Sequence, residues 1–249
     1  MQQFRPGGFN VLPTVVKNLL IINGLFFLAT LALQSMGIDL IKNLALYYPA
    51  SRQFGIWQLV SYMFLHGGFT HILFNMFALW MFGNVLENVW GPKRFLNYYL
   101  ITGIGAGLTH LLVVYIRLVT SGYELTPDQW ETIYRNGFQV LETGRNYADP
   151  AMGYYNLLIN TPTIGASGAV FGILLAFGMM FPNSLIYIYF AIPMKAKYFV
   201  ILYGAIELIS GISGRSGDNV AHFAHLGGMI FGYFVILYWK KKGTFYSGY

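Results

Sequence analysis

A serine stands among glycines where an apolar stretch begins, in the sequence TPTIGASGAVFG. Ser167 has Gly165 and Gly168 close by, and a second apolar stretch, NVAHFAHLGGMIFGYF, carries His225 near its polar start. A serine hydroxyl becomes a nucleophile when a neighbouring imidazole accepts its proton. The two stretches therefore predict nucleophilic catalysis, provided that the fold brings Ser167 and His225 to the same depth.

A third stretch, HGGFTHILFNMF, supplies hydrogen-bond donors. His71 and Asn75 are four residues apart, so they share one face of a helix. Attack of a hydroxyl on an amide carbonyl creates an oxyanion, which preorganised donors stabilise. We expect three donors: the His71 imidazole, the Asn75 amide and the backbone N–H of Ser167, which lacks an intrahelical partner near a helix start.

Composition identifies the elements that must position these groups. Of 249 residues, 56% are hydrophobic and only 10% are charged, with a mean hydropathy of +0.52. Soluble domains carry about 25% charged residues, so the sequence predicts an all-α polytopic membrane protein. Crossing a bilayer takes roughly 20 apolar residues. Six segments qualify, at about 15–34, 60–86, 94–116, 164–181, 196–213 and 219–239, whereas 184–193 is too short and is interpreted as an interfacial connection.

Charge predicts the orientation of these six segments. Nine of the fifteen basic residues fall on the side of the N-terminus, with Glu87 as the single acid there, and the other side holds six basic residues and eight acids. Short loops rich in Lys and Arg stay cytoplasmic. We therefore expect a cytoplasmic segment 1–14, one membrane domain 15–239 and a cytoplasmic tail 240–249, with Ser167 toward the outside. The excess positive charge is then explained by the orientation in the membrane and by attraction to anionic lipid, rather than by binding of nucleic acid.

One outer connection, residues 117–163, is long. Within it, Thr126-Pro127-Asp128 is a helix start signal, and Trp130 and Ile133 follow at helical spacing. The sequence predicts a short surface helix here rather than a separate domain.

Each candidate also has a simpler interpretation. A serine beside glycines in a membrane helix is usually a packing residue, and a single histidine or asparagine there often only joins two helices. Catalysis is favoured because Ser167, His225, His71 and Asn75 come from three segments and lie toward one side of the membrane. The glycines should let the fourth and sixth segments approach closely: Gly165, Gly168 and Gly172 on one, and Gly227, Gly228 and Gly232 on the other.

Other chemistries lack their residues in the sequence. There is no cysteine and no H-E-x-x-H motif, and GASGA lacks the final glycine of the G-x-S-x-G elbow. We therefore expect no metal site. The acids near the apolar segments, Glu87 and Glu207, are predicted to lie toward opposite ends, so no third triad member is expected at the depth of Ser167. The sequence predicts a Ser-His dyad.

These residues resemble the rhomboid intramembrane serine proteases. The likeness rests on GASG around Ser167, on AHLGGMIFG, which fits the family pattern A-H-x-x-G-x-x-x-G, and on HILFN. ENVWGPKRF resembles a further family turn. The likeness implies a six-transmembrane-helix bundle that cleaves single-span membrane proteins in or beside their membrane segment. It implies Ser167 as nucleophile, His225 as base, His71 and Asn75 in the oxyanion hole, and no cofactor.

Five further residues near these motifs are candidates for supporting roles or for packing. AHFAH offers both His222 and His225, but only His225 has glycine three and seven residues later. His222, His66, Gly165 and Phe171 are assigned a possible supporting role, with Phe171 either packing against the imidazole or only filling the core. His110 is interpreted as a hydrogen-bonding or packing residue.

One departure from the family concerns the first outer loop. Many relatives have Trp-Arg before the second span, and this chain has Trp57-Gln58, so the loop is expected to be held differently.

Two other function classes remain as alternatives. A catalytically silent relative that binds client membrane helices is expected to have lost Ser167 or His225, and this chain retains both. A channel or transporter needs polar residues through the whole bilayer, whereas here they cluster at one end. Because the first residues lack the pattern of a targeting peptide, the expected location is a bacterial inner membrane. The sequence does not define the oligomeric state.

Overall fold

The computed structural model describes residues 10–188, 191–213 and 221–243, with the backbone alone described at Ala221. The predicted terminal segments 1–14 and 240–249 therefore lie partly outside the described residues, as does the predicted start of the sixth segment at residue 219.

Helices dominate the described part of the chain. In chain order they are α1 (Thr14–Ser35), α2 (Leu40–Leu44), α3 (Gln58–Ser61), α4 (Phe69–Ala78), α5 (Asn84–Trp90), α6 (Pro92–Val119), α7 (Pro127–Glu142), α8 (Pro150–Asn160), α9 (Ser167–Met180), α10 (Ala196–Ser213) and α11 (Ala221–Lys241). A 3₁₀ turn (Tyr62–Phe64) follows α3, and a π-helical turn (Leu79–Gly83) joins α4 to α5. Strands β1 (Leu185–Ile188) and β2 (Ile192–Lys195) pair antiparallel, with Leu185 opposite Lys195.

The predicted all-α polytopic membrane fold is confirmed. Five described helices are long and apolar enough to cross a bilayer: α1, the continuous helix Phe69–Trp90, α6, α10 and α11. The sixth, α9, is apolar but has only 14 residues, or about 21 Å at 1.5 Å per residue. The hydrocarbon core is about 30 Å thick. A helix this short leaves one or both of its ends below the membrane surface.

Two boundaries differ from the prediction. The second span begins at Phe69 rather than near residue 60, because residues 58–64 form α3 and the 3₁₀ turn, and Gly67 and Gly68 interrupt the helix. The stretch predicted as a connection forms the β1–β2 hairpin over its described residues, so it adds a small antiparallel sheet to the helical fold.

The centre of the bundle is a close crossing of α9 and α11. A Cβ placed on Gly228 would lie 1.9 Å from the carbonyl oxygen of Gly168, so the two backbones are in direct contact. This part of the glycine prediction is confirmed. The other glycines have different neighbours: Gly172 and Gly232 both pack against Thr102 of α6. Gly227 packs against Thr109 of α6, and Gly165 precedes α9 in the loop. The prediction was wrong for these four: Gly172, Gly227 and Gly232 face α6, which lies against both helices, and Gly165 lies outside the helix beside His71.

At the opposite end of the bundle, Glu87 of α5 holds the start of α1. Its two carboxylate oxygens accept hydrogen bonds from the backbone N–H groups of Val15 and Val16, at 2.9 and 2.8 Å. Pro13 precedes α1 and offers no side-chain cap. The first N–H groups of a helix have no intrahelical acceptor, so Glu87 caps α1 from a neighbouring helix.

The long connection, residues 117–163, contains two helices. The predicted surface helix is confirmed as α7, whose N-cap Thr126 forms a capping box with Gln129. A second helix, α8, was not predicted, although Asp149-Pro150 is a start signal and the Asp149 side chain accepts from the Met152 N–H. The Ser51 hydroxyl donates to the Asn160 side chain at 2.6 Å, which joins α8 to the loop between α2 and α3.

Gln58 organises the loop between α2 and α3 from a buried position. Its side-chain amide donates to the carbonyl of Gln53 at 2.7 Å, and its oxygen accepts from the Tyr47 N–H at 3.2 Å. The adjacent Trp57 indole donates to the carbonyl of Asn43 at 3.0 Å. A neutral amide therefore ties together three parts of this loop.

The α9–α11 crossing yields a test of stability. In Gly228→Ala the new methyl group would overlap backbone atoms of Gly168, which cannot move without separating the helices. We expect the free energy of unfolding to fall by about 3 kcal/mol or more, the upper range for overpacking, as measured by thermal or denaturant unfolding in detergent. The control is Gly24→Ala in α1, where no atom lies within 4 Å of the added Cβ. Equal stability of the two variants would contradict the crossing.

Candidate active site

Ser167 is the first residue of α9. The predicted segment begins near residue 164, which would place Ser167 a few residues inside the span, and this was wrong. Gly165 has φ +131°, a conformation that side chains disfavour, so the helix cannot extend through it. The first i→i−4 bond at this end runs from the Val170 N–H to the Ala166 carbonyl, at 3.0 Å. The Ser167 N–H precedes that bond and is available to a ligand.

The structure brings Ser167 and His225 into contact. The His225 Nε2 atom lies 2.7 Å from the Ser167 hydroxyl oxygen, and the His222 ring does not make this contact. The Phe171 ring, one turn along α9, stacks on the His225 imidazole with centroids 4.4 Å apart and planes 4° from parallel. Stacking fixes the plane of the imidazole, which leaves its Nε2 edge facing the hydroxyl.

An acid lies behind this pair. One carboxylate oxygen of Glu207, Oε2, is 2.9 Å from the His225 Nδ1 atom and 2.6 Å from the His222 Nδ1 atom. The sequence-based statement that no third acidic group reaches this depth was therefore wrong. Glu207 lies six residues before the end of α10, and His225 lies four residues after the start of α11. Counting both positions from residues 214–220, which separate the two helices in sequence, would have predicted their proximity.

His71 faces the hydroxyl across a small gap. Its Nδ1 atom accepts a long hydrogen bond from the Gly67 N–H, at 3.4 Å, which leaves the proton on Nε2. A Cβ added to Gly165 would lie 2.9 Å from the His71 Nε2 atom and 3.4 Å from the Ser167 hydroxyl oxygen. The missing side chain of Gly165 therefore keeps open a space that both groups border.

Asn75 is buried, and its part as an oxyanion donor stays a prediction. Its side-chain amide donates to the carbonyl of His71, one turn earlier in α4, at 2.9 Å. No hydrogen bond joins it to Ser167 in the described part of the chain. One hydrogen of the Asn75 amide remains for a ligand. Of the two predicted side-chain donors, His71 borders the same gap as Ser167, whereas Asn75 contacts His71.

Two further histidines have distinct surroundings. His66 is buried, and its ring packs edge-on against His71 with centroids 5.0 Å apart, so it supports the His71 ring from behind. His110 of α6 pairs with the Thr163 hydroxyl at 2.9 Å, just before the loop that leads to Ser167. This contact agrees with the hydrogen-bonding interpretation of His110.

Glu207, His222 and His225 are the described side chains arranged most like a set of metal ligands. Their potential ligand atoms lie within 4.8 Å of one another. Both imidazole Nδ1 atoms are at hydrogen-bonding distance from the same carboxylate oxygen, and the Nε2 atom of His225 faces Ser167. Hydrogen bonding accounts for this arrangement without an ion.

Comparison with known proteins identifies the family. The model of the rhomboid domain matches residues 53–123 and 135–242, more than half of the chain. The chain is 27% identical to the mitochondrial RHOMBOID-like protein 12 of Arabidopsis thaliana over 170 residues, 68% of this chain and 42% of that protein. It is 27% identical to the rhomboid protease GluP of Bacillus subtilis over 195 residues, 76% of this chain and 27% of that protein.

A mitochondrial relative, rhomboid protein 1 of Saccharomyces cerevisiae, is 25% identical over 175 residues, 70% of this chain and 39% of that protein. The chain spans about half the length of the curated relatives it matches. The matched ranges include the helices that carry Ser167, His225 and His71. The chain therefore belongs to the rhomboid family, whose fold its membrane helices share.

Proposed function

We propose that this rhomboid-family protein is a serine-type intramembrane endopeptidase. The single observation that carries the proposal is the 2.7 Å contact between the His225 Nε2 atom and the Ser167 hydroxyl, at the start of a short helix within the bundle. Membership of the family and the protease name of the Bacillus relative support it. A protein that only bound membrane helices would have no need to keep a hydroxyl aligned with an imidazole.

In the proposed reaction, His225 accepts the proton of the Ser167 hydroxyl while the serine oxygen attacks the scissile carbonyl carbon. The carbonyl oxygen becomes an oxyanion in the space beside Gly165, where the His71 Nε2–H and the Ser167 N–H can donate to it. The second hydrogen of the Asn75 amide is the third proposed donor. The protonated His225 then donates to the leaving amine, and water hydrolyses the acyl-enzyme by the same steps in reverse order.

The proposed substrates are single-span membrane proteins, cut in or beside their membrane segment. The apolar outer surfaces of the helices contact lipid, so such a substrate reaches Ser167 sideways through the bundle. We propose that α10 moves to admit it, since Ile201, Ile209 and Ile212 face outward from this helix and are more than half exposed. A cross-link that fixed α10 to α4 without loss of cleavage would contradict this route.

The chain is an integral membrane protein, and its orientation is part of the proposal. Both termini are assigned to the cytoplasmic side and Ser167 to the outer side, because most basic residues lie at the end of the helices that is opposite to Ser167. Relatives occur in a bacterium, in mitochondria and in chloroplasts. The bacterial inner membrane therefore stays a proposal, to be tested by localising the protein in its own cells.

The proposal predicts that Ser167→Ala abolishes cleavage. The purified protein in detergent or liposomes is incubated with a model single-span substrate, and wild type is compared with the variant. Loss of the nucleophile should reduce the rate at least about 10³-fold, and a fluorophosphonate should label the wild type alone. Equal cleavage by the two proteins would overturn the assignment of Ser167.

Gly165→Ala tests the space between Ser167 and His71. The added methyl group would lie 2.9 Å from the His71 Nε2 atom, at a φ of +131°. We expect kcat to fall by about 10²-fold, comparable to the loss of one oxyanion donor. The control is Gly68→Ala, since no atom lies within 4 Å of its Cβ and its φ of 170° suits any residue. Similar activity in the two variants would show that the gap has no role.

Chelation tests the cluster of Glu207, His222 and His225. Since hydrogen bonds account for this cluster, EDTA should leave the rate of substrate cleavage unchanged. A loss of activity that added Zn²⁺ restores would instead assign the three side chains to a metal ion.

A further inference from the structure

Glu207 is an acidic side chain in an otherwise apolar membrane helix. It is 9% exposed, and α10 contains no other acid. Ionisable groups at membrane depth are energetically costly and usually serve a function. Its partners are two imidazoles of α11, both contacting the same carboxylate oxygen. The carboxylate is therefore largely shielded from lipid, and its described partners are imidazoles rather than Lys or Arg side chains.

We propose that Glu207 is the positioning residue of the Ser167–His225 pair, an inference that rests on the proposed function. When the His225 Nδ1–H donates to the Glu207 carboxylate, the Nε2 atom carries a lone pair directed at the Ser167 hydroxyl. The opposite tautomer would present an N–H to the hydroxyl and could not accept its proton. Glu207 thus selects the tautomer that works as a base.

The contact with Phe171 does not make this selection by itself. Stacking restrains the plane of the imidazole, but a half-turn about the Cβ–Cγ bond leaves the ring in that plane and exchanges nitrogen for carbon at both edges. The 2.9 Å contact between Glu207 and the Nδ1 atom distinguishes these two states. Phe171 fixes the plane of the ring, and Glu207 fixes which edge faces Ser167.

The carboxylate also stabilises the charged form of the base. During acylation the proton moves from the Ser167 oxygen to the His225 Nε2 atom, and the imidazole becomes a cation with both nitrogens protonated. Glu207 keeps its negative charge and accepts no proton, and the Nε2 proton then passes to the leaving amine. In an apolar medium a charge 2.9 Å from the imidazolium is only weakly screened.

His222 completes this arrangement on the far side of the carboxylate. Its Nδ1 atom lies 2.6 Å from the same oxygen, and its ring is nearly perpendicular to that of His225, at 88°. A second N–H donor fixes the position of the carboxylate oxygen relative to α11. His222 thereby orients Glu207, without contacting Ser167.

The test uses Glu207→Gln, which keeps the shape of the side chain and removes its charge. We expect kcat for a model single-span substrate to fall about 10²-fold, the lower range for general acid–base catalysis, with KM changed less than about twofold, because Glu207 acts through His225. The rate at which a fluorophosphonate labels Ser167 should fall by the same factor. Glu207→Asp, which keeps the charge, should be more active than Glu207→Gln.

The matched control is Glu87→Gln, the other buried glutamate of the described helices. Its carboxylate caps α1 through Val15 and Val16, so this variant should lose thermal stability in detergent yet keep the kcat of its folded fraction. Glu207→Gln with wild-type kcat and labelling rate would overturn the proposal. A fall in the kcat of Glu207→Gln that is no larger than its loss of folded protein would also overturn the proposal, because it would indicate a purely structural role.

The outcomes separate this inference from the proposed function. A wild-type protein that neither cleaves the substrate nor labels at Ser167 would overturn the function itself. An active wild type with an equally active Glu207→Gln variant would leave the endopeptidase in place and remove only the positioning role.

Discussion

The active arrangement depends on the backbone contact between α9 and α11. Gly168 and Gly228 bring the two helices so close that no side chain fits between them. Ser167 directly precedes one of these glycines and His225 lies three residues before the other, so the crossing places hydroxyl and imidazole on facing surfaces. A hydrogen bond of 2.7 Å requires this separation, which any larger residue at the crossing would prevent.

The two buried carboxylates of the described membrane helices are each paired with donors on a neighbouring helix. Glu87 at one end holds the first N–H groups of α1, and Glu207 at the other end contacts two histidines of α11. Water is scarce at these positions, so each carboxylate needs donors from the protein. The need for donors has a different consequence for each acid. Glu87 fixes the position of α1, and Glu207 lies against His225, the proposed catalytic base.

Short hydrogen bonds hold the connections between the membrane helices in place. Gln58 holds the first loop together, and the Ser51–Asn160 hydrogen bond joins that loop to α8. The short α9 begins at Ser167, so the hydroxyl lies at a helix start, where the backbone N–H is also available. Gly165 adds the open space next to His71.

The sequence by itself determined the membrane class, five of the six span positions within a few residues, the α7 cap and the identity of Ser167 and His225 as candidate reactive residues. These follow from local patterns, since apolar length, helix caps and the types of reactive side chains are visible without a fold. The tertiary structure alone decided the rest. Glu207 reaches His225 because of the offset between α10 and α11, Asn75 donates to its own helix, and Gly172 and Gly232 pack on Thr102 of α6. Such contacts depend on how neighbouring helices are offset and on which side chains fill the space between them, and the pattern of a single helix does not contain that information.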